Sequence, residues 1–407
     1  MKLDIVQDEA GFSRLEPVWD SLLRRSTCSS FFQSYVWARQ WWKCFGNAGH
    51  SQLCILIFSE DGQILAIGPL MVMKRVVYGM KLRVLRFIGT SSTHTSRRGP
   101  LDRLFAVDNS LGWSDRCDFI VRDAINFDKV MDVFWSHLMR WKDWDIVDLR
   151  EIDGRSPLLT YLHKKDLPDS RYRSVERTMN PSYWVPLNGT FGQYHASLSR
   201  WTKKALRLSE KRITHSYQPA YRIAATPEQV ESILPVIQEV EQRSWKGQLN
   251  IGVFSTARNE QFHRSVALNL ARKRAVEIHY LELDDTPVAY FYNFVFNNTE
   301  YLHNTAYDSD FRHLSPSLYL AFRVVENAFE RGLQGLDFCR TASFFKRRFK
   351  PTEIPRVWWT LYSRRIAPYV QYLAEFKAKP ALKSCLQRIA GPGANTASDG
   401  ADQLGGK

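Results

Sequence analysis

The chain lacks any apolar run long enough to cross a bilayer. Its longest, around Ile64 to Met73 and Pro287 to Phe296, hold about half of the roughly 20 residues a spanning helix needs. Met1 to Ser13 is charged and polar, unlike the basic-then-apolar opening of a secretory leader. Cysteine is scarce: Cys28, Cys44, Cys54, Cys117, Cys339 and Cys385 form no CxxC pair and no metal-ligand spacing. That pattern argues against a disulfide framework and against a metal, and predicts reduced thiols in a cytoplasmic protein, at most peripheral to an inner membrane. Low complexity is confined to the end, where the residues from Gly391 onward are rich in Gly, Ala, Ser, Asn and Asp, so 386–407 is expected to be an unstructured tail. Elsewhere a hydrophobic content of 44% with 13% aromatic residues excludes a disordered chain.

Acidic residues are outnumbered, 42 against 56 Lys and Arg, for a net charge of +14. Such a surface attracts anions: cofactor phosphates, nucleic acid, an acidic acyl carrier protein or an anionic membrane. Charge alone does not choose among them, and a generally basic surface without a specific partner has the same composition.

The hydrophobic period gives the element order. Phe12, Leu15, Trp19 and Leu22, then Trp37, Trp41 and Phe45 behind Ser34, mark two helices. The period then becomes strand-like over Gln52 to Ser59, Gln63 to Met73 and Leu82 to Gly89, with Asp61-Gly62 as the first turn. A strand at Asp118 to Val121, a helix from Asp128 to Trp141 and a strand from Trp144 to Leu149 complete a first lobe, 1–165.

The second half repeats this order. Helices are expected at Pro227 to Trp245 and Arg258 to Arg274, and strands at Val276 to Leu283, Pro287 to Phe296 and Thr299 to Tyr307. A helix from Ser317 to Arg331 and a strand from Gly335 to Phe338 follow. The predicted fold is therefore mixed α/β, with two tandem lobes, each a mixed sheet flanked by helices and the second spanning 227–385. Between them, 166–226 is expected to be a connection holding a basic amphipathic helix, 197–215. Leu198, Trp201, Ala205 and Leu208 would form its apolar face and Arg200, Lys204, Arg207 and Lys211 its basic one. That helix is a solvated spacer, or a contact for tRNA, an acyl carrier protein or an anionic membrane surface.

From Tyr301 to Arg331 a polar strand end leads through Arg312-His313-Leu314-Ser315-Pro316-Ser317 into a helix, and free amides at a helix start bind phosphate. Ser315 also suits an ordinary cap ahead of Pro316. In order along the chain stand Trp19-x-x-Leu22, Ser34-x-x-Trp37, Ala66-x-x-Pro69-Leu70, the Trp144 strand, the basic helix, Pro287-Val288-Ala289, Tyr307-Asp308 to Ser315-Pro316, and Asp337-Phe338-x-Arg340 before Phe344-Phe345-Lys346. Over nearly the whole chain this series resembles the acetyltransferase-like proteins associated with cellulose and exopolysaccharide biosynthesis, the CelD/BcsL type of the GNAT superfamily.

The resemblance implies transfer of an acyl group, typically acetyl, from acyl-coenzyme A to an amine or hydroxyl of a small-molecule or saccharide acceptor. It places the coenzyme's pyrophosphate on Arg312, Ser315 and Ser317, with Lys346 at the family's lysine and Arg347 beside it. Thr341 and Phe345 replace the family's glycine and tyrosine, so one proton donor is missing. Acyl transfer also needs a base, an oxyanion contact and a proton for the thiolate. His303, Asp308 and Glu241 are the base candidates, an amide within Asn304 to Ala306 is the oxyanion candidate, and Arg340, Tyr307 and Trp245 are candidate substrate contacts. Each has a plainer reading: His303 bonding across the sheet, Asp308 capping a turn, Glu241 facing solvent. The first lobe, whose Arg97 and Arg98 lead into no helix, is expected to be catalytically silent. Fem-type transferases share the twin-lobed form, so an aminoacyl-tRNA-dependent transferase stands as the alternative. A non-catalytic accessory protein of a polysaccharide synthase is the third reading.

Overall fold

Three two-residue turns set the strand registers. Asp61-Gly62, Asp284-Asp285 and Asn297-Asn298 each carry positive φ at both residues, the geometry whose twist matches a pair of antiparallel strands. The structure, a computed structural model, describes residues 1–46, 50–77, 79–90, 114–167, 172–340 and 344–378. The expected tail 386–407 and the arginines Arg97 and Arg98 lie outside the described residues.

The chain divides into two units, Met1–Met179 with Pro355–Lys407, and Asn180–Ile354. In the first, β1 (Lys2–Val6) precedes helices α1 (Glu9–Arg14), α2 (Glu16–Arg24) and α3 (Tyr35–Trp41). A meander of β2 (Ser51–Glu60), β3 (Gln63–Val77) and β4 (Met80–Phe87) follows, with the short β5 (Ile120–Val121) paired to β3. Helix α4 (Phe127–Arg140) leads to β6 (Ile146–Asp153), parallel to β4, and α5 (Pro157–Lys164) follows. Strand β7 (Arg173–Pro186) carries the chain into the second unit.

There α6 (Phe191–Ser197) and α7 (Arg200–Ser216) precede β8 (Pro219–Ala224). Helices α8 (Pro227–Arg243), α9 (Trp245–Leu249) and α10 (Ala257–Ala271) come next, then the meander β9 (Val276–Leu283), β10 (Thr286–Phe296) and β11 (Thr299–Tyr307). Helix α11 (Pro316–Glu330) leads to β12 (Gly335–Asp337), parallel to β11, and the short α12 (Phe344–Arg347) follows. Strand β13 (Thr352–Tyr362) returns the chain to the first unit, where α13 (Ile366–Leu373) follows.

Both units thus build strand, helices, meander, helix and parallel strand in the same order, as the internal repeat implies. Each closes on an antiparallel strand: Trp359 of β13 pairs with Leu149 of β6, and Val185 of β7 pairs with Leu336 of β12. Their cores are separate, one around Phe58, Phe87, Phe119, Phe134 and Trp359, the other around Phe291, Leu302, Leu320, Val324 and Phe338.

The bounds differ from those read off the sequence. Residues 180–226 belong to the second unit, not to a connection, because β7 pairs with β12 and α7 docks on the turn before α11. Residues 355–378 belong to the first unit, because β13 pairs with β6. The basic helix also docks by another face. Thr202, Leu206, Ser209 and Ile213 are its buried stripe, while Trp201 is 79% exposed and Leu208 is exposed. Ser209 donates to the carbonyls of Leu314 (2.6 Å) and Ser315 (3.2 Å), so small hydroxyls share the inward face with Leu206 and Ile213.

Candidate active site

The two central parallel strands of the second unit part company. They pair from Thr299↔Gly335 to Tyr301↔Asp337, and β11 then runs on to Tyr307 while β12 ends. Past Asp337 the chain stays with β7, the Phe338 amide donating to the Tyr183 carbonyl at 2.8 Å. On its other edge β11 pairs Leu302 with Asn293 and Asn304 with Tyr292, leaving His303 as an extra residue, a β-bulge. Alternation along the strand continues beyond it: Asp308 N bonds Val288 O on β10 (2.8 Å), so Ala306 N faces β10 and Thr305 N the opposite, opened edge.

A buried polar network stands at this bulge. Glu241 lies on the inward stripe of α8 with Val230, Ile237 and Val240. Its Oε1 accepts from Phe254 N (2.9 Å), and its Oε2 accepts from the Tyr290 hydroxyl (2.8 Å) and Asn304 Nδ2 (2.7 Å). Gly252 makes room for it, since a Cβ there would stand 2.1 Å from Oε1. Lys246 enters from α9, its Nζ donating to Asn304 Oδ1 (2.6 Å) and Thr305 O (2.7 Å). Burial holds the Lys246 ammonium below the ordinary lysine value, with Glu241 opposing the shift. Burial and Glu241 push the Tyr290 phenol well up, so it stays a donor.

The base candidates fare differently. Glu241 is buried and its oxygens are taken by three donors, which makes it the organiser of the network rather than a solvent-facing residue. His303 lies at the bulge, but its ring is enclosed by His263, Tyr292 and Phe294. Burial, then Arg340 and Lys246, push its pKa down to about 3, too weak a base to collect a proton at neutral pH. Asp308 caps the turn Ser309–Leu314 through Asp310 N (3.1 Å) and accepts from Arg243 Nε (2.6 Å). Tyr307 packs half-buried against the core, and Trp245 is 46% exposed at the start of α9.

The other candidates are not gathered around one ligand. Arg312 is exposed in the turn Ser309–Leu314. Ser315 is the N-cap of α11 in left-handed backbone (φ 57°), without a side-chain capping bond, and Ser317 lies in the first helical turn. The carbonyls of His313, Leu314 and Ser315 are bound by Arg212 and Ser209 of α7. Lys346 does not reach toward this turn: its Nζ donates to the carbonyls of Phe338 (2.6 Å), Cys339 (3.4 Å) and Arg340 (2.5 Å). It therefore clamps the chain after β12, which carries Cys339 at φ 56°. Arg347 is exposed, 3.5 Å from Glu353. Arg340 is close enough to His303 to lower its pKa, and Asp337 accepts from Cys339 N (2.8 Å).

Sequence reasoning missed Lys246, Tyr290 and the side chain of Asn304, whose stretch is singled out only for a backbone amide. The available signal was Glu241 itself, a carboxylate on an apolar stripe that requires inward-facing donors. A second charged cluster, Glu277, His279 and Glu300, brings its ligand atoms within 4.8 Å of one another. Arg331 pairs with Glu277, and although burial opposes it, Glu300 and Glu277 raise the His279 pKa to about 9. A metal would have to displace that proton and the guanidinium.

Residues 200–347 match the model of the acetyltransferase (GNAT) domain, so the second unit carries a domain of that kind. Solved structures are similar in fold. FemX is 10% identical, with 88% of this chain and 97% of that one covered at a TM-score of 0.56. The C-terminal domain of a putative lysylphosphatidylglycerol synthetase from Agrobacterium fabrum is 15% identical, with coverage of 91% and 96% and a TM-score of 0.51. L-PGS from Bacillus licheniformis is 13% identical, covering 90% and 96% at 0.51. No curated protein sequence matches the chain.

Proposed function

We propose that this acetyltransferase (GNAT) domain moves an acyl group, acetyl being the simplest, from acyl-coenzyme A to an amine or hydroxyl of a saccharide or other envelope or exopolysaccharide precursor. The observation that carries the reading is the bulge at His303 where β11 leaves β12. There a thioester can lie against an edge whose Thr305 amide has turned away from β10. That amide supplies the oxyanion contact, an interaction worth about 3 kcal/mol in other acyl-transfer enzymes.

Lys246 supplies the proton that the absent tyrosine hydroxyl at Phe345 does not. The acceptor's nitrogen or oxygen adds to the thioester carbon, and the C–S bond breaks as the tetrahedral adduct collapses. Lys246 gives its proton to the departing sulfur and regains one from the acceptor. Burial, which lowers its pKa against the opposing pull of Glu241, makes its ammonium a readier proton donor than an ordinary lysine. Glu241 and Asn304 fix the lysine, and Arg312 with the Ser317 amide would meet the coenzyme's phosphates.

The aminoacyl-tRNA-dependent reading is favoured by one observation, the exposed cations of α7, together with the fold shared with FemX. Calorimetric titration of the full chain with acetyl-coenzyme A, paired with a thiol-release assay on amino and hydroxyl sugars, separates the two. Saturable binding is expected, with thiol release lowered at least about 100-fold by Lys246→Ala and not restored by Lys246→Arg, which keeps the charge but not the labile proton. If acetyl-coenzyme A and longer acyl forms fail to bind, acyl-coenzyme A is not the donor.

A further inference from the structure

We propose that the groove between α7 and α11 binds a nucleoside diphosphate, or a compound built on one, at a site separate from the bulge. The cavity there measures about 750 Å³, within the range of small-molecule sites. Five cations line it, Arg200, Lys203, Lys204, Arg207 and Arg323, against the two carboxylates Glu210 and Glu326.

These charges are not evenly matched. Arg323 takes both carboxylates, Glu326 at 2.7 Å and Glu210 at 3.4 Å. Lys203 donates to the Ala196 carbonyl (3.0 Å). Arg200, Lys204 and Arg207 are exposed, and among the described residues no carboxylate pairs with them. They recur one helical turn apart, where like charges repel and weaken a helix unless an anion lies between them.

Their spacing limits the anion. Seven residues of helix span roughly 10 Å, enough for two linked phosphates, and Glu210 and Glu326 would repel a longer polyanion. Arginine forks match phosphate oxygens in pairs. The groove also has an apolar side, since Leu206, Tyr319 and Phe322 line it beside His195. A ring can lie there while its phosphates meet α7. The turn 312–317 forms no part of the lining, so this proposal does not rest on the acyl-coenzyme A reading.

The test is calorimetric titration of the full chain with uridine diphosphate, inorganic pyrophosphate and uridine, the uridine base being chosen because coenzyme A carries adenosine. Uridine diphosphate should bind at one site, more tightly than pyrophosphate, and still bind when acetyl-coenzyme A is saturating. The Lys204→Ala/Arg207→Ala double variant, at exposed positions, should weaken it at least tenfold, and Lys211→Ala, on α7 but outside the cavity, by less than twofold. Four outcomes overturn the proposal: no binding of uridine diphosphate; displacement of it by saturating acetyl-coenzyme A; no weakening by the double variant; or equal weakening by Lys211→Ala. Acetyl-coenzyme A titration of the same double variant keeps the two readings apart, because loss of either ligand leaves the other to be measured.

Discussion

Asp118 shows how strongly burial governs single groups in this protein. Its carboxyl is buried in the first unit, accepting from the Ser156 hydroxyl and from Phe119 N (2.7 Å), and burial pushes its pKa up to about 7. A carboxyl raised in the folded state favours folding at low pH, and that contribution is lost as pH climbs from about 4 through about 7. Asp118→Asn should therefore stabilise the fold at pH 8 by on the order of 2 kcal/mol. The gain in Tm should shrink steadily toward pH 4, and a pH-independent difference would refute the mechanism. Burial is also why residue roles were only partly legible. Glu241, Asp308 and His303 were singled out as polar side chains near the right strand, but whether each is a base, a cap or an organiser depends on neighbours far away in sequence. Lys246, in Trp-Lys-Gly-Gln, looks like any surface lysine until α9 folds it onto Asn304.

The bulge is a property of an element. Without His303, Leu302 and Asn304 would oppose Asn293 and Tyr292 in regular register, and β11 would lose the feature that turns it from β12. Deleting His303 should leave circular dichroism and cooperative unfolding intact while thiol release from acetyl-coenzyme A falls at least about 100-fold. Activity in that variant would mean that the chemistry lies elsewhere. Strands β9 and β11, set off by the two-residue turns Asp284-Asp285 and Asn297-Asn298 on either side of β10, were legible to the residue, and so were the helices α8 and α11 to within a few. Strands β1, β7, β8 and β13 were not. Strand β7 alternates half-buried with exposed polar residues, Arg173-Ser174-Val175-Glu176-Arg177, and β13 contains Pro355 beside a basic run. The face of α7 was misassigned because Trp201, apolar by type, points outward while Ser209 points in.

At the scale of the molecule, the second unit is an insertion: chain enters it after Met179 and leaves it at Ile354. The first unit is finished only by β13, which pairs with β6, and by Arg356, whose buried guanidinium meets Asp115 (3.0 Å) and Glu151 (2.9 Å). Removing one partner of such a buried pair costs about 3–5 kcal/mol. A chain ending at Ile354 should therefore lose amide protection across residues 1–179 while keeping it in β9, β10 and α11, as hydrogen exchange would show. Protection retained in both units, or lost in both, would contradict the division. The same connectivity inverts the order of birth and maturity. As the polypeptide emerges from the ribosome, its first 179 residues must wait through the synthesis of an entire second unit for the strand that completes them, so the half made first is the half finished last.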